Sequence, residues 1–204
     1  RIFTWFIITP FGYKPFGLIQ LNNPFGRKKI SVINLTALSE EPKGLVYKTL
    51  DAEHWPGLVY YNIVPVKKGK TSYYLLVGFH GNNGLTQKKS IDVISFTSSG
   101  QVRFGLPVFM TDQRMSNRLI FEYKAQANMS LRYIEKQKMF VFDHLSPEHP
   151  SLKGQYQYYV PDFSYDAYKL EKHKWVYVAD VYTKNDTENK GQQGIKHSPK
   201  TPDK

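Results

Sequence analysis

Two short stretches hold most of the side chains with chemistry to offer. In FDHLSPEHP, the residues Asp143, His144, Glu148 and His149 fall within seven positions. Two imidazoles and a carboxylate are a zinc-type ligand set, which makes His144 and His149 the metal candidates. No helical spacing aligns them, however, and Pro147 and Pro150 stiffen the segment. The favoured reading is therefore a strand end followed by a rigid loop, with no metal or other cofactor assigned. In VPDFSYDAY, Asp162 and Asp166 lie beside Tyr159, Tyr165 and Tyr168. Paired carboxylates with nearby rings are what a glycosidase or a sugar-binding cleft uses, acid and base astride the scissile bond and rings stacked on the sugar. The same residue types also form turns and fill cores, and that reading needs no third component. For a carboxylate-based hydrolase the candidate catalytic groups are Asp143, Asp162, Asp166 and Glu122; for a binding surface, Tyr159 and Tyr165 join the list.

A third place is the turn in YYLLVGFHGNNGLTQKKSIDVISF, where His80, Asn82 and Asn83 are the candidate ligand-binding residues. Gly and Asn let backbone amides or carbonyls converge on an ion. A calcium loop needs several carboxylates, and His80 to Gly84 supplies none. The expectation is a bend between two core strands. No Gly-x-Ser-x-Gly elbow, His-Glu-x-x-His pair, phosphate loop or dinucleotide fingerprint occurs in the chain.

The elements that position these groups read as strand, turn, strand almost throughout. Strands are expected near 2–9, 16–22, 29–36, 45–50, 57–66, 71–79, 88–97, 101–109, 118–125, 129–135, 138–144, 154–160, 164–170 and 174–182. From Leu119 to Ala125 alternate residues are apolar, with Arg118, Glu122 and Lys124 assigned to the opposite, solvated face. Residues 73–79 are apolar on both faces and belong in the middle of a layer. That two-sided apolarity also argues against a membrane barrel with a wet lumen. Helical pattern is nearly absent: one short candidate lies around Ala37–Pro42, and a single turn after Asp51 has that carboxylate as its cap. Short connections force antiparallel neighbours, so the fold class expected is all-β, a meander closing into a sandwich or open barrel, with a propeller-like arrangement as the alternative.

Composition sets the outer bounds. The chain has 204 residues, 15 Tyr, 13 Phe and no Cys, enough aromatic mass for one core and no thiol chemistry. One domain is expected over residues 1–182, lacking its native N-terminal portion, with a disordered polar tail at 183–204 that has one aliphatic residue, Ile195. The formal charge of +11 suits an anionic partner, but the lysines are scattered over turns and strand ends. No run reaches the roughly 18 apolar residues of a membrane-spanning helix.

The stretch from Tyr73 to Phe96, then GLPVF, RLIFEYKAQANMSLRYIEKQKMFVFDHLSP and GQYQYYVPDFSYDAYKLEKHKWVYVADV, resembles an uncharacterised family of exported proteins widespread in the Bacteroidetes bacteria. The resemblance spans roughly Trp55 to Val181. It implies a periplasmic, cell-surface or secreted location and no established activity. Export makes nucleic acid an unsuitable partner and leaves glycan or an anionic envelope surface. Where the family has Trp-Asp-Gly-Asn this chain has Phe79-His80-Gly81-Asn82, and where it has Asn-Gly in the last hairpin this chain has Lys172-His173. The function expected is a non-catalytic exported binding or scaffold domain, the alternative being a carboxylate-based hydrolase acting on glycan.

Overall fold

In a computed structural model the described residues are 1–10, 12–22, 30–68, 71–111 and 114–181. The expected tail at 183–204 and the basic run Arg27-Lys28-Lys29 lie outside them. Fourteen strands are present: β1 (Ile2–Thr9), β2 (Gly12–Leu21), β3 (Ser31–Leu35), β4 (Val59–Lys68), β5 (Thr71–His80), β6 (Thr86–Phe96), β7 (Val102–Phe104), β8 (Phe109–Thr111), β9 (Arg114–Ser116), β10 (Leu119–Lys124), β11 (Leu131–Ile134), β12 (Met139–Pro147), β13 (Tyr159–Glu171) and β14 (Lys174–Val178). They form three sheets: β1-β2-β3; β10-β6-β5-β4 with β7 beside β6; and β11-β12-β13-β14-β8-β9. Among the described residues there is no α-helix, and no helix long and apolar enough to cross a membrane.

The chain is thus an all-β stack of packed, mainly antiparallel sheets with no closed barrel among the described residues. The sheets differ in strand number and connectivity, so they are not copies of one propeller blade. β5 explains the layering. Tyr73, Leu75 and Val77 enter one core with Phe109, Phe140, Phe142 and Trp175 of the six-stranded sheet. Leu76, on the other face, enters a second core with Ile19, Leu35, Trp55 and Phe104. A strand that is apolar on both faces is stable only between two layers, and each such side chain removed from water contributes about 1.5–3 kcal/mol.

Some local expectations change. Residues 45–50 form a single 3-10 turn at Leu45–Tyr47 and an isolated bridge from Leu50 to Phe104, not a strand. Residues 101–109 split into β7 and the start of β8, which lie in different sheets. The segment before β13 is a 3-10 turn at Tyr156–Tyr158. The Ala37–Pro42 helix is absent; Ala37 instead bridges Trp55. The turn after Asp51 is as read: Ala52–His54 is 3-10, and the Asp51 carboxylate accepts from the Glu53 amide at 3.0 Å. Pairing is also less sequential than short loops imply. β8 pairs β14 in parallel, and the chain leaves the six-stranded sheet at Ser116 to enter the middle one at Leu119. A corner that switches sheets satisfies a short connection without hairpin pairing.

At that corner the largest departure occurs. Arg118, expected in solvent, is 1% exposed. Its Nε donates to Asp92 Oδ1 at 3.1 Å, and its terminal nitrogens donate to the carbonyls of Leu45, Lys48 and Phe104. Gly105, at φ +93°, leaves room for this: a Cβ there would meet the Lys48 carbonyl at 2.6 Å and Arg118 at 2.8 Å.

The last hairpin keeps its geometry without its preferred residues. Lys172 and His173 both have positive φ, 43° and 72°, between the paired Glu171 and Lys174. Both central residues of a type I′ turn require this, and side chains there are strained. Replacing Lys172-His173 by Asn-Gly is expected to raise stability by about 1 kcal/mol, seen as a later urea midpoint with unchanged slope.

Candidate functional site

The structure gathers most of the candidate residues in two places. The first lies where β12 meets β13. Asp143 pairs with Tyr165 and Leu145 with Pro161, so Asp162, Phe163 and Ser164 stand opposite His144 alone. The extra residues bulge from the sheet. The Asp162 carboxylate holds the bulge by accepting from the Ser164 amide at 3.1 Å and its hydroxyl at 2.7 Å. Phe163, at the apex, has φ +71° and is 96% exposed.

Under the bulge Asp166 is buried, and its carboxylate has three partners. His144 Nδ1 lies 2.6 Å from Oδ2, the Tyr177 hydroxyl donates to the same oxygen at 2.6 Å, and the Asp180 amide donates to Oδ1 at 3.2 Å. The hydrogen bond to Asp166 raises the His144 pKa above its ordinary value, against a smaller opposing effect of burial. His144 Nε2 faces outward, 3.9 Å from Asp162 Oδ2. Burial pushes the Asp162 carboxyl up, but the Ser164 hydroxyl and amide and then His144 together hold it below the usual range. Burial first, and Asp166 second, push the Tyr177 phenol up.

Three candidates are therefore assembled here: His144, Asp162 and Asp166. Tyr177 and Asp180 complete the group, and sequence reasoning missed both; the only signal was their place in the hairpin after Asp166. The other FDHLSPEHP residues go elsewhere. Asp143 Oδ2 accepts from the Ser130 amide at 2.7 Å. His149 Nδ1 takes the Ser151 hydroxyl at 2.8 Å as the cap of a 3-10 turn, and Glu148 pairs with Lys124 at 2.6 Å. Among the described residues no group of three or more His, Asp or Glu stands in metal-holding geometry. The Tyr159 ring packs tilted against Tyr156 at 5.2 Å, its hydroxyl accepting from the Gly154 amide at 3.0 Å, while Tyr165 is partly exposed beside the bulge.

The second place is the β5–β6 turn. Asn83 Oδ1 accepts from the amides of Leu85 and Thr86, and Asn82 has φ +48°, so the loop is the expected bend. Its polar groups nevertheless converge. Glu122 Oε1 accepts from Thr86 Oγ1 at 2.7 Å and from Asn82 Nδ2 at 3.1 Å. Lys88 lies 3.5 Å from Glu122 and 2.6 Å from Glu41, which reaches in from the 38–45 segment. His80 Nδ1 accepts from the Asn82 amide at 2.9 Å, which leaves the hydrogen on Nε2. Burial, then Lys88, lower its pKa, so the ring is neutral. His80, Asn82 and Lys88 line a cavity of about 200 Å³ against Leu58 and Ile120.

With both places described, comparison with known proteins adds no parallel: no protein-family model, no curated protein and no solved structure matches this chain.

Proposed function

We propose that this is a non-catalytic binding domain of the bacterial envelope, periplasmic or surface-displayed, that takes glycan on the bulge around Phe163. The resemblance to exported proteins supports the location. The observation that carries the binding role is Phe163 itself. A bulky side chain at positive φ is strained by about 1 kcal/mol or more, and strain of this kind collects at functional sites. Here it holds an aromatic ring in water, where burial contributes nothing until a ligand arrives. Asp162, Ser164, the outward edge of His144 and Tyr165 lie within the same few residues. A ring with polar groups beside it matches the two faces of a sugar.

The candidate carboxylates support the non-catalytic reading. A glycosidase needs open space between its two acids for the bond it cleaves. Between Asp162 and Asp166 stands the imidazole of His144, within 3.9 Å of one and 2.6 Å of the other. Asp143 and Glu122 are each committed to other partners.

Phe163→Gly tests the proposal. Retardation in gels cast with a panel of neutral and acidic polysaccharides is expected to weaken at least about tenfold. The same change should raise stability by about 1 kcal/mol, because glycine accepts the φ that phenylalanine resists. Retention that is indifferent to Phe163→Gly but abolished by salt would replace this reading with one based on the +11 charge.

A further inference from the structure

Sheets are vulnerable at their edges, and this protein guards all its described edges but one. β3 is five residues long and carries Asn34 in solvent. β4 has Pro65, Lys67 and a bulge between Tyr60 and Asn62. β10 carries Glu122 and Lys124; β7, which pairs β6 alone, is three residues long with Arg103, and β11 and β9 are four and three residues long, with Arg132 and Arg114. Charge, proline, irregularity and brevity are the devices that stop an edge from recruiting another strand. β1 has none of them. It is eight residues of IFTWFIIT, paired to β2 alone and without a register shift.

We propose that β1 is the interface of a homodimer, pairing antiparallel with β1 of a second copy to make a continuous six-stranded sheet. The register follows from the backbone. Arg1 and Gln20 exchange their main-chain bonds, so the odd residues of β1 face β2. The N–H and C=O groups of Ile2, Thr4, Phe6 and Ile8 therefore point away from it. Those four positions are self-complementary. Ile2 meets Ile8 of the second copy and Thr4 meets Phe6, giving about eight new backbone hydrogen bonds. Trp5 falls on the two-fold axis, opposite itself at a non-hydrogen-bonded position.

Side chains favour the same solution. Phe3, Trp5 and Ile7 share the outer face, half exposed, with Trp5 stacked on Phe16 at 5.7 Å. In this register Phe3 of one copy lies beside Ile7 of the other, and both outer faces point the same way, so the apolar strip is shared. On the inner side Phe6 packs on Tyr13 and Phe79, which holds the edge in place before any partner arrives. A second copy is the occupant that brings no charge to an uncharged strand and meets each free group with its own counterpart. The interface is isologous and closes on itself.

Sedimentation and light scattering of the full chain are expected to give twice the 23.7 kDa of one chain. Ile8→Pro removes an outward N–H and leaves the β1–β2 ladder whole. It should convert the dimer to monomer with an unchanged circular dichroism spectrum. Val32→Lys, on the far strand of the same outer face and 57% exposed, should leave the dimer intact. Because the chain lacks cysteine, register can be read covalently. Trp5→Cys should cross-link to a disulfide dimer, since non-hydrogen-bonded partners sit about 4.5 Å apart at Cα. Ile7→Cys should not. A monomer at every concentration, or a dimer lost with Val32→Lys and kept with Ile8→Pro, would overturn the proposal. Cross-linking at position 7 but not 5 would overturn the register.

Discussion

Arg118→Met is expected to lower the unfolding free energy by about 3–5 kcal/mol, the range for removing one partner of a buried ion pair. Asp92 is fully buried, its Oδ1 taken by Arg118 and the Val93 amide and its Oδ2 without a hydrogen-bond partner. Without the guanidinium that carboxylate has no countercharge. The carbonyls of Leu45, Lys48 and Phe104 lose their donors at the same time. The damage is not confined to one sheet. Arg118 ties the corner between the middle and six-stranded sheets to the carbonyls of Leu45 and Lys48, and both Arg118 and Leu45 line the His80 cavity. Urea titration measures the loss. The double variant Asp92→Leu with Arg118→Met should recover part of it, because the orphaned charge is gone and only the carbonyls remain unsatisfied. A cost below about 1 kcal/mol would mean that the pair behaves as a surface bridge.

Asp166→Asn is the second large effect, and its signature is pH. Asp166 accepts from His144, Tyr177 and the Asp180 amide, and an amide cannot serve three donors with its single oxygen. The expected loss is about 1–3 kcal/mol, for donors left unmatched beneath the bulge. His144 adds a pH dependence. Its folded pKa lies above the ordinary histidine value of 6.5 because the Asp166 carboxylate accepts from the imidazolium and stabilises it. Its contribution is therefore whole below the unfolded value and fades as pH rises through the higher folded one. Wild-type protein should lose stability across that window, measured between about pH 5.5 and 8.5, and the Asp166→Asn variant should be flatter. If the two slopes coincide, the 2.6 Å contact does not carry the proton.

The edge of β1 and the bulge of β13 show the same principle from opposite sides. A regular uncharged strand leaves its backbone groups in register for a partner. A bulge removes residues from the ladder and gives their side chains to the solvent. The two proposed interaction surfaces accordingly sit on different sheets and use different groups, main chain in one case and an aromatic ring in the other.

Much of the fold was legible along the chain because the information is local. Alternation in β10, two-sided apolarity in β5, the Asp51 cap and the tight bends depend on neighbours a few residues apart. The His80–Gly84 turn was read correctly for that reason. The short strands were harder. A run such as 101–109 is uniformly compatible with extended backbone, and only the layer beneath decides where it breaks between β7 and β8. The bulge was legible only as a break between strands 154–160 and 164–170, where the structure has one strand, since Asp162-Phe163-Ser164 has no glycine to announce a positive φ.

The candidate site was legible in membership and hidden in arrangement. Sequence pattern by itself determined an all-β chain, its hairpins and the pool of polar residues available for function, because a strand's two-residue period writes inside and outside directly into residue type. Tertiary structure decided which of those residues meet. His144 and Asp166 are 22 positions apart, Asp92 and Arg118 are 26, and Glu41 and Lys88 are 47. The period that marks Arg118 as polar cannot say that a facing carboxylate and three carbonyls will desolvate it. Burial of charge depends on partners brought together from distant segments, and that pairing exists only once the sheets have stacked.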